Sequence, residues 1–146
     1  MTKVAQTISA GPATEAARGL LAAANLPTSD LTDEDLTSFF YCGPATKPSA
    51  LIGIEIYGTE ALLRSLVVDP SVRSTGLGSA LVERAETHAA KHGVGMLYLL
   101  TTTAEAFFAR HGYHCIDRAF APAAIRSTRE FAGLCPASSA FMLKRL

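Results

Sequence analysis

The sequence has no apolar run approaching the ~20 residues that a membrane-spanning helix needs. Its opening, MTKVAQTISAGPATEAARG, carries no hydrophobic stretch of secretory length, so a cytoplasmic protein with no membrane partner is expected. Neither charge is in excess: 13 Lys and Arg balance 13 Asp and Glu, for a formal net charge of zero. Long-range attraction to nucleic acid is therefore not implied, and no nucleic-acid partner is expected. Cysteine is scarce and odd in number. Cys42, Cys115 and Cys135 include no C-x-x-C pair, which gives no local metal site; free thiols packed as small apolar groups are expected. No repeat, low-complexity tract or linker divides the 146 residues. A single domain over 1–146 is expected, large enough to bury roughly 70% of its unfolded surface.

What is present is a regular alternation of strand-like and helix-like segments. VAQTISA (4–10) alternates weakly as a strand. PATEAARGLLAAANL opens on Pro12 and puts Ala16, Leu20, Ala23 and Ala24 on one helical stripe. SDLTDEDL reads as a cap on Ser29 or Asp30 and a short helix. TSFFYCG, ALIGIEIYG and ALLRSLVV are rich in strand formers. A four-residue turn, GTEA, between the last two would set Glu55 opposite Arg64; a one-residue slip would separate them. A long helix follows, with Leu77, Leu81, Ala85, His88 and Ala89 at helical spacing and Gly93 as its stop. GMLYLLT reads as a buried strand. In TTTAEAFFARHGY, Thr102 and Glu105 fit a capping box and Gly112 ends a short helix. YHCIDRA reads as a strand, APAAIRSTREFAG as a helix from Pro122 to Gly133, and SSAFMLKRL as the strand that closes the sheet. This order predicts an α/β (α+β) fold, a mixed sheet with helices on both faces.

One stretch carries chemistry. In VVDPSVRSTGLGSAL a strand ends at Val68 and Arg73-Ser74-Thr75-Gly76-Leu77-Gly78 leads into a helix. A helix N-terminus offers unpaired amides and the positive end of a dipole, glycines let that backbone approach an anion, and Arg73 adds a forked donor. No lysine follows Gly78, as a nucleoside triphosphate loop requires. Leu81 stands where a dinucleotide fingerprint needs its third glycine. A phosphate site and a glycine-softened corner both remain open from the local string.

The strand ending V-x-P, the R-x-x-G-x-G loop, the amphipathic helix, the buried strand and the short helix ending FFARHGY together resemble the GNAT N-acetyltransferase superfamily. The resemblance covers essentially the whole chain and is strongest from Leu62 to Tyr113. ALLRSLVV, YLLTTTAEAFFARHGY and APAAIRSTREFAGLCPASS are most similar to the arsenic-resistance N-acetyltransferase group, second type. LLTTTAEAFF with HGY also resembles the acetyltransferase domain of bacterial N-acetylglutamate synthases. The resemblance implies a mostly antiparallel sheet of about six to seven strands, with a cleft where a bulge splays the fourth from the fifth. It implies acetyl-CoA as cosubstrate and no metal, with the pyrophosphate on the backbone of Arg73, Ser74, Thr75, Gly76, Leu77, Gly78 and Ser79. Pantetheine would lie along Leu66, Val67 and Val68, with the Val68 amide polarising the thioester carbonyl. The acceptor would be the amino group of a small molecule, a glutamate-like or arsenic-containing amino acid.

The sequence departs from the family where an acid is usual. Phe108 stands at the position of the frequent tyrosine and lines the cofactor site without a proton to give. Thr101 replaces a common asparagine and is a candidate, with Thr102 and Thr103, for bonding the pantetheine of the cofactor or the substrate. Leu63 stands nearest to a glutamate that some amino-acid-directed relatives carry. Glu55 is a candidate base through water or else a structural partner of Arg64. Ser65, alternating with Arg64, is a candidate for the acceptor cleft. His111 and His114 are candidate bases or surface residues, and Tyr113 a packing aromatic. Arg64, Tyr57 and Arg126, with Arg129 on the same helix, are candidates for binding the acceptor and its carboxylate. Two other readings stay open: a module that binds acyl-CoA without turnover, and a metalloid-binding protein using three converging thiols. The apolar SSAFML strand is a candidate edge for a homodimer.

Overall fold

The computed structural model describes residues 8–10, 19–20, 22–23, 38–44, 48–70, 76–128, 131 and 139–146. The strands are β1 (Ser9–Ala10), β2 (Ser38–Cys42), β3 (Ala50–Tyr57), β4 (Glu60–Val68), β5 (Met96–Thr101), β6 (His114–Cys115) and β7 (Ala140–Arg145). The helices are α1 (Leu77–Lys91), α2 (Glu105–Arg110) and α3 (Ala123–Arg126), with a 3-10 turn at Arg118–Phe120. Residues 19–20 and 22–23 are also helical. The strands form one sheet in the order β1-β2-β3-β4-β5-β7-β6, antiparallel throughout except for the parallel pair β4–β5.

Side-chain alternation divides the sheet into two buried faces. On one, Ile52, Ile54, Leu63, Leu97, Leu99 and Met142 meet α1 and α2. The α1 contribution is Leu77, Leu81, Val82, Ala85 and Ala89, the stripe read from the sequence with Val82 added and His88 left half-buried at its edge. On the other face Leu62, Tyr98 and Phe141 meet Ala121 and Ile125 at α3, and Leu51 and Val67 pack with Leu20. Leu81 is fully buried in the α1 face. Leu81→Ala is therefore expected to destabilise the chain by about 2–5 kcal/mol, measured by urea unfolding.

Several sequence expectations are corrected. The β3–β4 turn has two residues, Gly58 and Thr59, because Tyr57 pairs with Glu60; Glu55 thus faces Leu62 and not Arg64. The capping box is not formed: Ala104 caps α2, and the Ala104 amide donates instead to Thr101 Oγ1 at 3.0 Å. The strand expected over YHCIDRA is confined to His114–Cys115, because the Asp117 side chain accepts from the Ala119 amide and starts the 3-10 turn. The α-helix after Pro122 is interrupted past Arg126, where Ser127 Oγ and Thr128 Oγ1 bond back to Ala123 O and Ile125 O; Phe131 is again helical, and its neighbours in sequence lie outside the described residues. The last strand lies between β5 and β6 and uses both edges within the chain, so SSAFML is not a free edge for a homodimer. Most of the first expected helix, the short helix over SDLTDEDL, and Arg129 and Cys135 lie outside the described residues.

Candidate active site

The site begins with an extra residue in β4. Leu51 pairs with Val67, but two residues on, Gly53 pairs with Arg64, so β4 carries one residue more than β3. The bulge falls at Ser65, which takes φ 60, a left-handed conformation unusual outside glycine. Beyond it β4 leaves β5. Their parallel ladder runs from Glu60↔Met96 to Leu63↔Leu99 and stops, while β4 continues to Val68 and β5 to Thr101 against β7. The Asp69 amide donates to Ser49 O at 2.7 Å, on the β3 side. Backbone alternation therefore turns the Val68 amide, and that of Leu66, towards the β5 side, which is the cleft.

The N-terminus of α1 stands at the mouth of this cleft, on the α1 face. Gly76 is its cap, at φ 85, a conformation that glycine takes without strain. A Cβ on Gly78 would lie 3.4 Å from Phe107 Cζ and 3.7 Å from Val68 Cγ2. Gly78 is thus the point where helix, strand and α2 close on one another. Leu77 is buried, and the Ser79 hydroxyl lies 3.0 Å from His111 Nε2. Arg73, Ser74 and Thr75 lie outside the described residues.

On the opposite face the bulge organises a buried polar network. Arg64 Nη1 donates to Glu55 Oε2 at 2.7 Å, with the two side chains 1% and 8% exposed. Tyr57 donates its hydroxyl to Glu55 Oε1, and Arg64 Nε donates to Ser65 Oγ at 3.0 Å. The Glu55–Arg64 pair forms although the register differs from expectation by two residues, since an even shift keeps both side chains on one face. Ser65 does not alternate with Arg64; the bulge folds its hydroxyl back onto the guanidinium.

The remaining candidates are dispersed. Arg126 donates from Nε to Ala121 O at 2.9 Å and from Nη2 to Ala119 O at 2.5 Å, which ties α3 to the preceding turn. Phe108 is buried, edge-on to Phe107 and Tyr113 at ring-centroid separations of 5.1 and 5.5 Å. Tyr113 donates to Glu86 at 2.9 Å; burial first, then the Glu86 carboxylate, pushes its phenol far above the ordinary range and keeps it protonated. Lys144 also donates to Glu86 at 2.9 Å, so this cluster joins α1, β7 and the end of α2. His114 is exposed on β6. Cys42 is buried in β2, where desolvation raises its thiol pKa, and Cys115 is exposed on β6. Five strand steps separate β2 from β6, about 24 Å at ~4.8 Å each, so these two thiols do not converge on one ion. Among the described residues no cluster of His, Cys, Asp or Glu suits a metal. Phe107 was not singled out by the sequence, although its i, i+4 spacing to His111 shows that both lie on one side of α2.

A sheet splayed beside a bulged strand, with a glycine-led helix at the mouth, defines an acyltransferase-type α/β fold. The acetyltransferase (GNAT) domain family matches residues 40–115, and the chain belongs to that family. It is 32% identical over 90 residues to an uncharacterised N-acetyltransferase of Chlorobaculum tepidum, covering 61% of this chain and 57% of that relative. In structure it is similar to a Mycobacterium tuberculosis protein solved with CoA, at TM-score 0.77 and 21% identity over 96% of this chain and 99% of that one. It is also similar to the N-acetylglutamate synthase of Neisseria gonorrhoeae, solved with coenzyme A and N-acetyl-glutamate, at TM-score 0.73 and 17% identity. That match covers 96% of this chain and 35% of the synthase, and at such identity both structural likenesses speak to the fold.

Proposed function

We propose that the chain transfers the acetyl group of acetyl-CoA to the amino group of a small, carboxylate-bearing molecule, with a glutamate-like or arsenic-containing amino acid as the leading class. The observation that carries this reading is the cleft itself. The β4–β5 ladder ends at Leu63↔Leu99, and the Gly76–Gly78 helix start lies beside Val68 at its open end. The residues present fit the cosubstrate: at Gly76 a side chain would strain the left-handed cap, and Gly78 sets the helix start in van der Waals reach of Val68 and Phe107. Gly76, Leu77, Gly78 and Ser79, together with Arg73, Ser74 and Thr75, are assigned to the diphosphate, and Leu66, Val67 and Val68 to the pantetheine arm. Acetyl-CoA supplies an activated thioester, and the Val68 amide is assigned to stabilise the oxyanion charge that develops at its carbonyl.

The phosphate end is assigned to the α1 face and the acceptor to the opposite one, where Arg64 lies with Glu55, Tyr57 and Ser65. Arg64 carries the guanidinium suited to a carboxylate, and Tyr57, whose one hydroxyl proton goes to Glu55, is assigned to orienting that network beside it. Glu55 already accepts from a guanidinium and a phenol. That favours its holding these donors in place over its acting as the general base, and Ser65 completes the same network. Phe108 gives the departing thiolate no proton, and Thr101, at the end of β5, spends an acceptor site on Ala104. Arg126 is assigned to holding α3 rather than to the acceptor. A supply of amino acids, glutamate analogues among them, tests the reading through thiol release from acetyl-CoA. Release with one or more carboxylate-bearing amines and not with their N-acetylated forms is expected. Tight acetyl-CoA binding with no release from any amine would instead support a module that holds acyl-CoA without turnover.

A further inference from the structure

The first turn of α1 has a neighbour that the cofactor assignment does not use. His111 caps the C-terminus of α2, half-buried, with Nε2 3.0 Å from Ser79 Oγ. One turn earlier on α2, Phe107 tilts against the His111 ring at 4.7 Å between centroids. The same Phe107 closes on Gly78. Two rings of α2 are therefore laid across two consecutive residues of the glycine-led turn, and one of them makes a polar contact there.

We propose that His111 is a positioning residue for the phosphate end of acetyl-CoA and acts through the Ser79 hydroxyl. The inference rests on the reading of the α1 N-terminus as the diphosphate site. A serine hydroxyl has one proton to donate and lone pairs to accept with. When His111 Nε2 carries a hydrogen and donates to Oγ, the serine proton is left to point outward, at an anion. When Nε2 is bare it accepts a hydrogen bond from the serine hydroxyl, and Ser79 turns a lone pair towards the phosphate oxygens. Bound diphosphate therefore selects the form with hydrogen on Nε2, and the Phe107 ring packs against the imidazole beside that contact. A hydrogen bond between a hydroxyl and a charged phosphate is among the stronger ones.

The test compares CoA with pantetheine, which lacks the diphosphate and the adenosine, by titration of wild-type protein, His111→Ala, His111→Gln, Ser79→Ala and the double alanine variant. Thermal melts confirm that each is folded. His111→Ala is expected to raise the CoA dissociation constant about tenfold and to leave pantetheine within twofold. His111→Gln keeps a donor nitrogen near the Nε2 position and is expected to restore most of the loss. Ser79→Ala should weaken CoA by at least as much, and the double variant no further, because His111 works through that hydroxyl. Unchanged CoA binding in His111→Ala overturns the role of His111 and leaves the diphosphate site standing. Equal losses for CoA and pantetheine, or additive losses in the double variant, also overturn it. Failure of the wild-type protein to bind CoA overturns the underlying site assignment instead.

Discussion

Gly76→Asp is expected to weaken acetyl-CoA binding by a factor on the order of 100 or more, while Gly76→Asn escapes most of that loss. Gly76 caps α1 in the left-handed region, φ 85, which only glycine and, at modest cost, asparagine and aspartate adopt readily. The two substitutions have nearly the same shape, so both should fold, with melting temperatures within a few degrees of each other. They differ in one negative charge, placed where an incoming diphosphate meets the helix N-terminus. Two unit charges about 4 Å apart interact by about 4 kcal/mol at an effective dielectric constant near 20, enough to account for such a loss. Calorimetric titration of each variant measures the difference. Equal, near wild-type affinities would remove the diphosphate from this turn.

The second large effect belongs to the opposite face. Arg64→Met is expected to destabilise the fold by about 3–5 kcal/mol, because it leaves the Glu55 carboxylate buried without its guanidinium. Adding Glu55→Gln removes the stranded charge while retaining an acceptor for the Tyr57 hydroxyl, and should recover most of that loss. Urea unfolding follows both. Acetyl transfer to the acceptor should stay low in the recovered double variant, since the guanidinium assigned to its carboxylate is gone, while acetyl-CoA binding on the other face should persist. A double variant that is stable and fully active would reduce the pair to a structural element.

Where the sequence was readable, local pattern and global fold agree. The α1 stripe from Leu77 to Ala89 and the strands over 50–57, 61–68 and 96–101 follow from periodicity, and the turn glycines Gly93 and Gly112 take positive φ where a helix must stop. The errors lie where two local choices compete. GTEA admits a two- or a four-residue turn, and only pairing along β3 decides for Gly58-Thr59. In the run Thr101-Thr102-Thr103 three hydroxyls compete for one amide, and Thr101, fixed at the end of β5, takes it. The placement of β7 between β5 and β6 is a long-range choice that no local window contains. The site divides in the same way. Its glycine-led turn is legible because glycine is required by backbone geometry. The bulge follows from the family resemblance, but its position at Ser65 does not, since the residue that takes the strained conformation is an ordinary serine. Yet that bulge ends the β4–β5 pairing and folds the Ser65 hydroxyl onto Arg64, so the proposed acceptor side depends on a feature that the strand pattern does not locate.

The central claim is that one acetyl-CoA binds with its phosphates on the α1 N-terminus and its thioester at the splayed end of β4. Isothermal titration of acetyl-CoA into the wild-type protein, alongside Gly76→Asp, tests it most directly. The account predicts a single site on the wild-type chain that is lost in the folded variant. No measurable binding by the wild-type protein at high concentration, or full binding by Gly76→Asp, would contradict it.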